Sequence, residues 1–215
     1  MKNSITDVPG IKVGHAQNIE AGTGCTVIMW GDEGAVTGVD VRGGGPGTIE
    51  LDSLDPVNLI TRAHAVYMGG GSAYGLDGAS GVMQYFEERN IGLDVGVGVV
   101  PIVPGAVLFD FFVGDYKVRP DKAMGYEACM NARGNNKLEG NIGAGTGAAI
   151  GRINGPEYFM KGGIGTASRQ VGELIVGAIV AVNCFGDVIC PFTGRIIAGV
   201  LDEEKKNLAD TMSII

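Results

Sequence analysis

Glu173-Leu-Ile-Val-Gly-Ala-Ile-Val-Ala-Val-Asn183 is the stretch whose reading decides the fold. Along an extended chain Leu174, Val176, Ala178, Val180 and Val182 point one way, and Ile175, Gly177, Ile179 and Ala181 the other. Both faces are apolar, so the run predicts a strand covered on both sides. A partner strand is expected over residues 158–166, with a turn near Arg169-Gln170. Four glycine clusters surround this core: Val41-Arg-Gly-Gly-Gly-Pro-Gly-Thr48, Gly69-Gly-Gly-Ser-Ala-Tyr-Gly75, Gly140-Asn-Ile-Gly-Ala-Gly-Thr-Gly147 and Lys161-Gly-Gly-Ile-Gly-Thr-Ala-Ser-Arg169. Glycine supplies 38 of 215 residues, more than twice the usual share of about 7%. A linker would mix glycine with serine and charge. These clusters abut apolar runs, the pattern of tight turns and close backbone approach in a packed domain.

Outward from that core, residues 51–64 read as a short helix capped by Asp55 with Pro56 at its first position. Residues 72–90 place Ala73, Leu76, Ala79, Met83 and Phe86 at helical steps, with Asn90 and Gly92 as a stop. Residues 95–104 and 106–113 are expected as strands around a Pro104-Gly105 turn. A third helix is expected over 119–132, opened by Pro120 and closed by Gly134. Helices on the outer layers of paired sheets give an α+β sandwich. Residues 1–200 form one domain in this reading, and the charged segment 201–215 is a solvated linker.

Composition removes several function classes. Hydrophobic content of 45% and charged content of 19% describe a packed chain, and the net charge of −8 repels nucleic acid and anionic membrane surfaces alike. The longest uncharged run, 95–109, is broken by Pro101 and Pro104 and too short to span a bilayer. The amino terminus carries no apolar signal segment. Cys25, Cys129, Cys184 and Cys190 stand at wide, irregular spacings, which reads as free thiols in a reducing cytoplasm.

The glycine loops do not fit nucleotide binding. No G-x-x-x-x-G-K-[ST] is present, and Gly145-Thr-Gly-Ala-Ala-Ile-Gly151 lacks the acidic partner of a dinucleotide fingerprint. His15 and His64 are isolated from each other and from any cysteine pair, so neither a metal site nor a histidine-based nucleophile is expected, and no cofactor is called for. Asn183 is the sharper signal. It ends a buried strand, where it is either a turn-capping residue or an amide N–H aimed at an oxyanion. Lys161 opens a glycine-rich turn, where it either tunes a nearby amine, holds developing negative charge or is a solvated surface lysine. Tyr67 and Tyr74 flank Met68-Gly-Gly-Gly-Ser72 as pocket walls or core.

These residues resemble a known family. Ile5-Thr-Asp-Val-Pro-Gly-Ile-Lys-Val-Gly-His15, Gly69-Gly-Gly-Ser-Ala-Tyr-Gly-Leu-Asp77, Gly143-Ala-Gly-Thr-Gly147, Lys161-Gly-Gly-Ile-Gly-Thr-Ala-Ser168 and Ala181-Val-Asn-Cys-Phe-Gly-Asp187 are similar to motifs of the DmpA family of self-processing peptidases. That family includes L-aminopeptidase/D-esterases, β-peptidyl aminopeptidases and the nylon-oligomer endo-amidase. The resemblance implies a four-layer αββα sandwich, also found in ornithine acetyltransferases. It implies a precursor that cuts itself before a serine or threonine, which becomes the N-terminal nucleophile of a small β chain and uses its own α-amine as base. It further implies tetramers of αβ units acting on peptides or amide oligomers.

Carried over by residue, the resemblance makes Asn183 the oxyanion donor and Lys161 the active-site lysine of the endo-amidase branch. Phe109 takes the place of a catalytic-site tyrosine, and Ser72 and Tyr74 join it as substrate-binding candidates. A phenyl ring donates no hydrogen bond, and no glutamate lies between Pro104 and Phe109 to receive a substrate amine, which favours an endo-acting amidase. The nucleophile is not recognisable within the sequence; Thr211 and Ser213 lack a processing context. The alternatives are a non-catalytic relative that binds small molecules or supports assembly, and an acyl transferase of the ornithine acetyltransferase kind.

Overall fold

The computed structural model describes residues 1–135 and 137–215. Its centre is a five-stranded sheet built from β1 (Lys12–Asn18), β2 (Thr23–Met29), β3 (Thr48–Ile49), β4 (Ala65–Gly69) and β5 (Gly105–Val107). The spatial order is β1-β2-β4-β5-β3, and only β4 and β5 run parallel. A parallel pair needs a crossover. Here it carries a 3-10 turn at Ser72–Asp77 and then α1 (Gly78–Glu87). A second helix, α2 (Lys122–Met130), packs beside α1 and over β1 and β2.

One face of the sheet and the two helices enclose the core. Alternation along β2 and β4 sends Cys25, Val27 and Met29, with Ala65 and Tyr67, toward Ala79, Val82 and Phe86 of α1 and Ala128 and Cys129 of α2. The helices approach closely because of Gly81 and Gly125. A β-carbon at Gly81 would overlap the Lys122 carbonyl, and one at Gly125 the Gly78 carbonyl. The expected stop of the helix read over 72–90 is present: Asn90 turns left-handed at φ +55°. The helix expected over 119–132 starts at Lys122 rather than Pro120 and is capped by Asp121, whose Oδ1 accepts from the Met124 N–H at 2.9 Å.

Four expectations need correction. Residues 51–64 form no helix. A 3-10 turn at Asp52–Leu54 is followed by a bend and a short strand at Arg62–Ala63. Val57 and Leu59 are 88% and 98% exposed, so the apolar positions had no surface to hold a helix in place. Residues 95–104 pair only at Val99–Val100, and 106–113 leave the sheet after Val107. The long hairpin is β6 (Gly163–Val171) with β7 (Leu174–Val182), and it turns at Gly172-Glu173, three residues later than expected. Lastly, β7 is not covered on both sides: Leu174, Val176 and Val180 are 64%, 58% and 54% exposed. Its other face meets the 3-10 turn at Ile5–Asp7, where the Ile5 N–H donates to Thr166 Oγ1 at 2.8 Å and Ser168 Oγ donates to Asp7 Oδ2 at 2.6 Å. In the segment 201–215, Thr211 is buried, and its N–H and Oγ1 both donate to the Asp187 carboxylate at 2.8 Å.

The sheet face opposite the helices meets the 3-10 turn at Gly143–Gly145, and His15 lies there. Its Nδ1 pairs with Thr26 Oγ1 at 2.9 Å, and burial pushes its pKa down to about 4. Above pH about 6.5 neither folded nor unfolded chain binds this proton. Between 6.5 and 4 only the unfolded chain does, so stability is lost as pH is lowered through this window, by about 3 kcal/mol from this group alone. Urea midpoints followed from pH 7 to 4 should drop more steeply for the native protein than for His15→Gln. Parallel pH slopes would show that another group sets the acid sensitivity.

Candidate functional site

The strand end at β7 carries the candidate site. Asn183 follows Val182 and is half-buried. Its Oδ1 accepts from the Ala149 N–H at 2.9 Å, and its Nδ2 donates to the Phe109 carbonyl at 3.2 Å. An N–H can only be received by the amide oxygen, so this pair of bonds fixes which way the carboxamide points. The second Nδ2 hydrogen has no partner among the described residues. That is the geometry an oxyanion donor needs: a held group with a spare N–H.

Lys161 reaches the same place by strand pairing. Ala149–Ile150 and Met160–Lys161 form a short antiparallel ladder with Ala149 opposite Lys161. The Lys161 Nζ donates to the carbonyls of Thr146, at 2.6 Å, and Ala148, at 3.0 Å. An ammonium has three N–H groups, so one remains. Burial lowers the Lys161 pKa, and the Asp110 charge opposes that shift. The residue as a whole is exposed, so solvent screens this shift, but its ammonium is tied to the carbonyls of two buried residues.

Phe109 is drawn in through its backbone. Its carbonyl accepts from Asn183 Nδ2 and from Arg152 Nη1 at 3.3 Å, while Arg152 Nη2 donates to the Asn183 carbonyl at 3.2 Å. Phe109 is 40% exposed, and its ring lies 5.1 Å from that of Phe111 and 5.4 Å from that of Phe112, centroid to centroid. Phe111 continues to Tyr74 at 6.4 Å, and the Arg119 guanidinium lies 4.1 Å from the Tyr74 centroid. Tyr74 therefore stands at the outer end of an aromatic row, not against Asn183. Ser72 opens the 3-10 turn at φ +51°, and its N–H donates to the Leu108 carbonyl at 2.9 Å. Tyr67 is core: fully buried, it donates from its hydroxyl to the Gly75 carbonyl at 2.7 Å.

Sequence reasoning missed Asp110, Arg152 and Thr146. Asp110 is 5% exposed; its Oδ2 accepts from Thr23 Oγ1 and its Oδ1 from the Gly71 N–H, each at 2.7 Å. Burial raises its pKa, and the two donors and Lys161 oppose the rise. The visible signal was a single carboxylate inside the apolar run 95–113. Arg152 and Thr146 carried no such signal. The Nε of Arg152 and the Oγ1 of Thr146 are buried without a hydrogen-bond partner among the described residues. His64 lies elsewhere, accepting the Ile102 N–H at Nδ1. No group of three or more His, Cys, Asp or Glu that could hold a metal ion occurs among the described residues, and no helix there is long and apolar enough to cross a membrane.

Comparison with known proteins places the chain in a family. An uncharacterized aminopeptidase of Mycobacterium tuberculosis is 46% identical over 200 residues, covering 89% of this chain and 56% of that protein. The 6-aminohexanoate-oligomer endohydrolase of Kocuria sp. is 35% identical over 198 residues, covering 92% of this chain and 52% of the enzyme. The chain thus spans about half the length of these relatives. The fold is shared with the L-aminopeptidase D-Ala-esterase/amidase of Ochrobactrum anthropi, a variant of the Ntn hydrolase fold, at a TM-score of 0.69 and 23% identity, covering 85% of this chain and 53% of that one. The sequence profile of peptidase family S58 matches residues 3–215. With that match joined to two relatives above 30% identity, the chain belongs to peptidase family S58.

Proposed function

We propose that this chain is the larger part of an amide hydrolase whose nucleophile is the N-terminal serine or threonine of a small second chain, released by self-cleavage of a common precursor. The observation that carries the reading is the Asn183 carboxamide, pinned by Ala149 and Phe109 with one Nδ2 hydrogen to spare. In the reaction the nucleophile's α-amine takes the hydroxyl proton as oxygen attacks the amide carbonyl. Negative charge on the carbonyl oxygen is met by the free Asn183 N–H, with the third Lys161 N–H as a further donor. Collapse expels the amine, which takes the proton, and water then hydrolyses the acyl-enzyme.

Substrates with an uncharged flank fit best. The Asp110 carboxylate, next to Phe109 in the chain, is buried and accepts from Thr23 and Gly71, which closes it to a substrate ammonium. The Phe109-Phe111-Phe112 rings offer an apolar wall instead. Linear amide oligomers cut internally are therefore the proposed substrate class, by two-chain units that assemble further as a tetramer in the cytoplasm.

The test is expression of the complete gene product. Intact mass should resolve two fragments, the smaller beginning with serine or threonine. The purified protein should hydrolyse 6-aminohexanoate oligomers faster than amino-acid p-nitroanilides. A single uncut chain that hydrolyses neither would overturn the reading.

A further inference from the structure

We infer that Asp110 is a positioning residue for the proposed hydrolysis, joining the 69–72 turn to the segment held by Asn183 and giving Lys161 its counter-charge. The inference rests on the hydrolase reading and adds a residue that the family resemblance did not supply.

The argument starts from crowding. A β-carbon at Gly70 would run into the Asp110 carboxylate, and one at Gly147 would lie 2.6 Å from the Asp110 Cβ and 2.7 Å from its Oδ2. Two separate glycine motifs, 69–75 and 140–147, are thus shaped around one carboxylate. Thr23, where β2 begins, adds a third segment through its hydroxyl. The residue before Asp110 is Phe109, whose carbonyl holds both Asn183 and Arg152. Moving Asp110 would move the acceptor that orients the oxyanion donor.

Charge is the second half of the argument. Lys161 Nζ binds the carbonyls on either side of Gly147, and Asp110 sits against Gly147 itself. Cation and anion therefore share one glycine. An asparagine could make both Asp110 hydrogen bonds, accepting from Gly71 and donating to Thr23, without burying a charge. What the carboxylate adds over that amide is its field on Lys161. Among the described residues Asp110 is the charge acting on Lys161, while Arg152 donates to the Phe109 carbonyl and the stem of Arg119 lies against Gly71, which donates to Asp110.

Asp110→Asn in the complete gene product separates the two halves. Shape and hydrogen bonds persist, so the melting temperature should stay within a few degrees. Without its counter-charge Lys161 loses its proton at lower pH, and the alkaline limb of kcat/KM should move down by about one pH unit, costing up to about tenfold in rate there. Thr23→Val is the companion variant. It keeps the charge and removes one donor to it, so the alkaline limb should stay where the native enzyme has it, the acid limb being set by the nucleophile's α-amine. With an active native enzyme, an alkaline limb that does not move in Asp110→Asn, or that moves equally in both variants, overturns this inference alone. A native protein that hydrolyses no amide overturns the hydrolase reading and this inference together.

Discussion

Asn183→Ala is expected to lower turnover of an amide substrate by about 10²–10³, the usual cost of removing one oxyanion donor. The carboxamide is held before any substrate arrives, by an N–H from Ala149 and a carbonyl from Phe109. Preorganisation of that kind acts on the transition state, so kcat should fall while KM changes little. Alanine also leaves the Ala149 N–H without its acceptor, a structural cost of about 1–3 kcal/mol if water does not replace it. Asn183→Asp controls for that: it still accepts from Ala149 but has no hydrogen to donate. Both variants should be comparably slow. Turnover within threefold of the native enzyme in the aspartate variant would remove Asn183 from the mechanism.

The largest effect on stability is expected from Phe86→Ala. Phe86 is 1% exposed, within the cluster of Tyr67, Val82, Val103 and Ala65. Tyr85 meets its ring edge-on at 5.6 Å and 86°. Truncation removes the transfer free energy of the ring and leaves a cavity that a helix pair locked by Gly81 and Gly125 cannot collapse, for a loss of about 3–5 kcal/mol. For a chain of this size that is a fall in melting temperature on the order of 10 °C. Denaturant melts should show a lower midpoint at an unchanged slope. A shift of a degree or two would mean that the core relaxes around the gap.

Some parts of this protein were legible in its sequence because the cause is local. The strand 174–182 follows from an unbroken apolar run of mostly small and β-branched residues, and the helix 78–87 from the spacing of Ala79, Met83 and Phe86. Asn183 stood out because a polar amide ended an apolar strand, and Lys161 because it opened a glycine run. The resemblance then gave both a role. The helix expected at 51–64 failed for the complementary reason: cap and proline were present, yet Val57 and Leu59 face solvent. Caps start a helix, but only packing of an apolar face keeps a short one.

The unbroken apolar run by itself determined that β7 is a strand and that Asn183 lies at its end. Tertiary structure alone decided which of its faces is covered, because coverage depends on segments far away in the chain, such as Ile5–Asp7. It alone also decided that Asp110, from an apolar run with no recognisable motif, lies between two glycine turns and beside Lys161. Hydrogen bonds and fields act over a few ångströms through space, and the residues that share them here come from positions 23, 71, 110, 147 and 161.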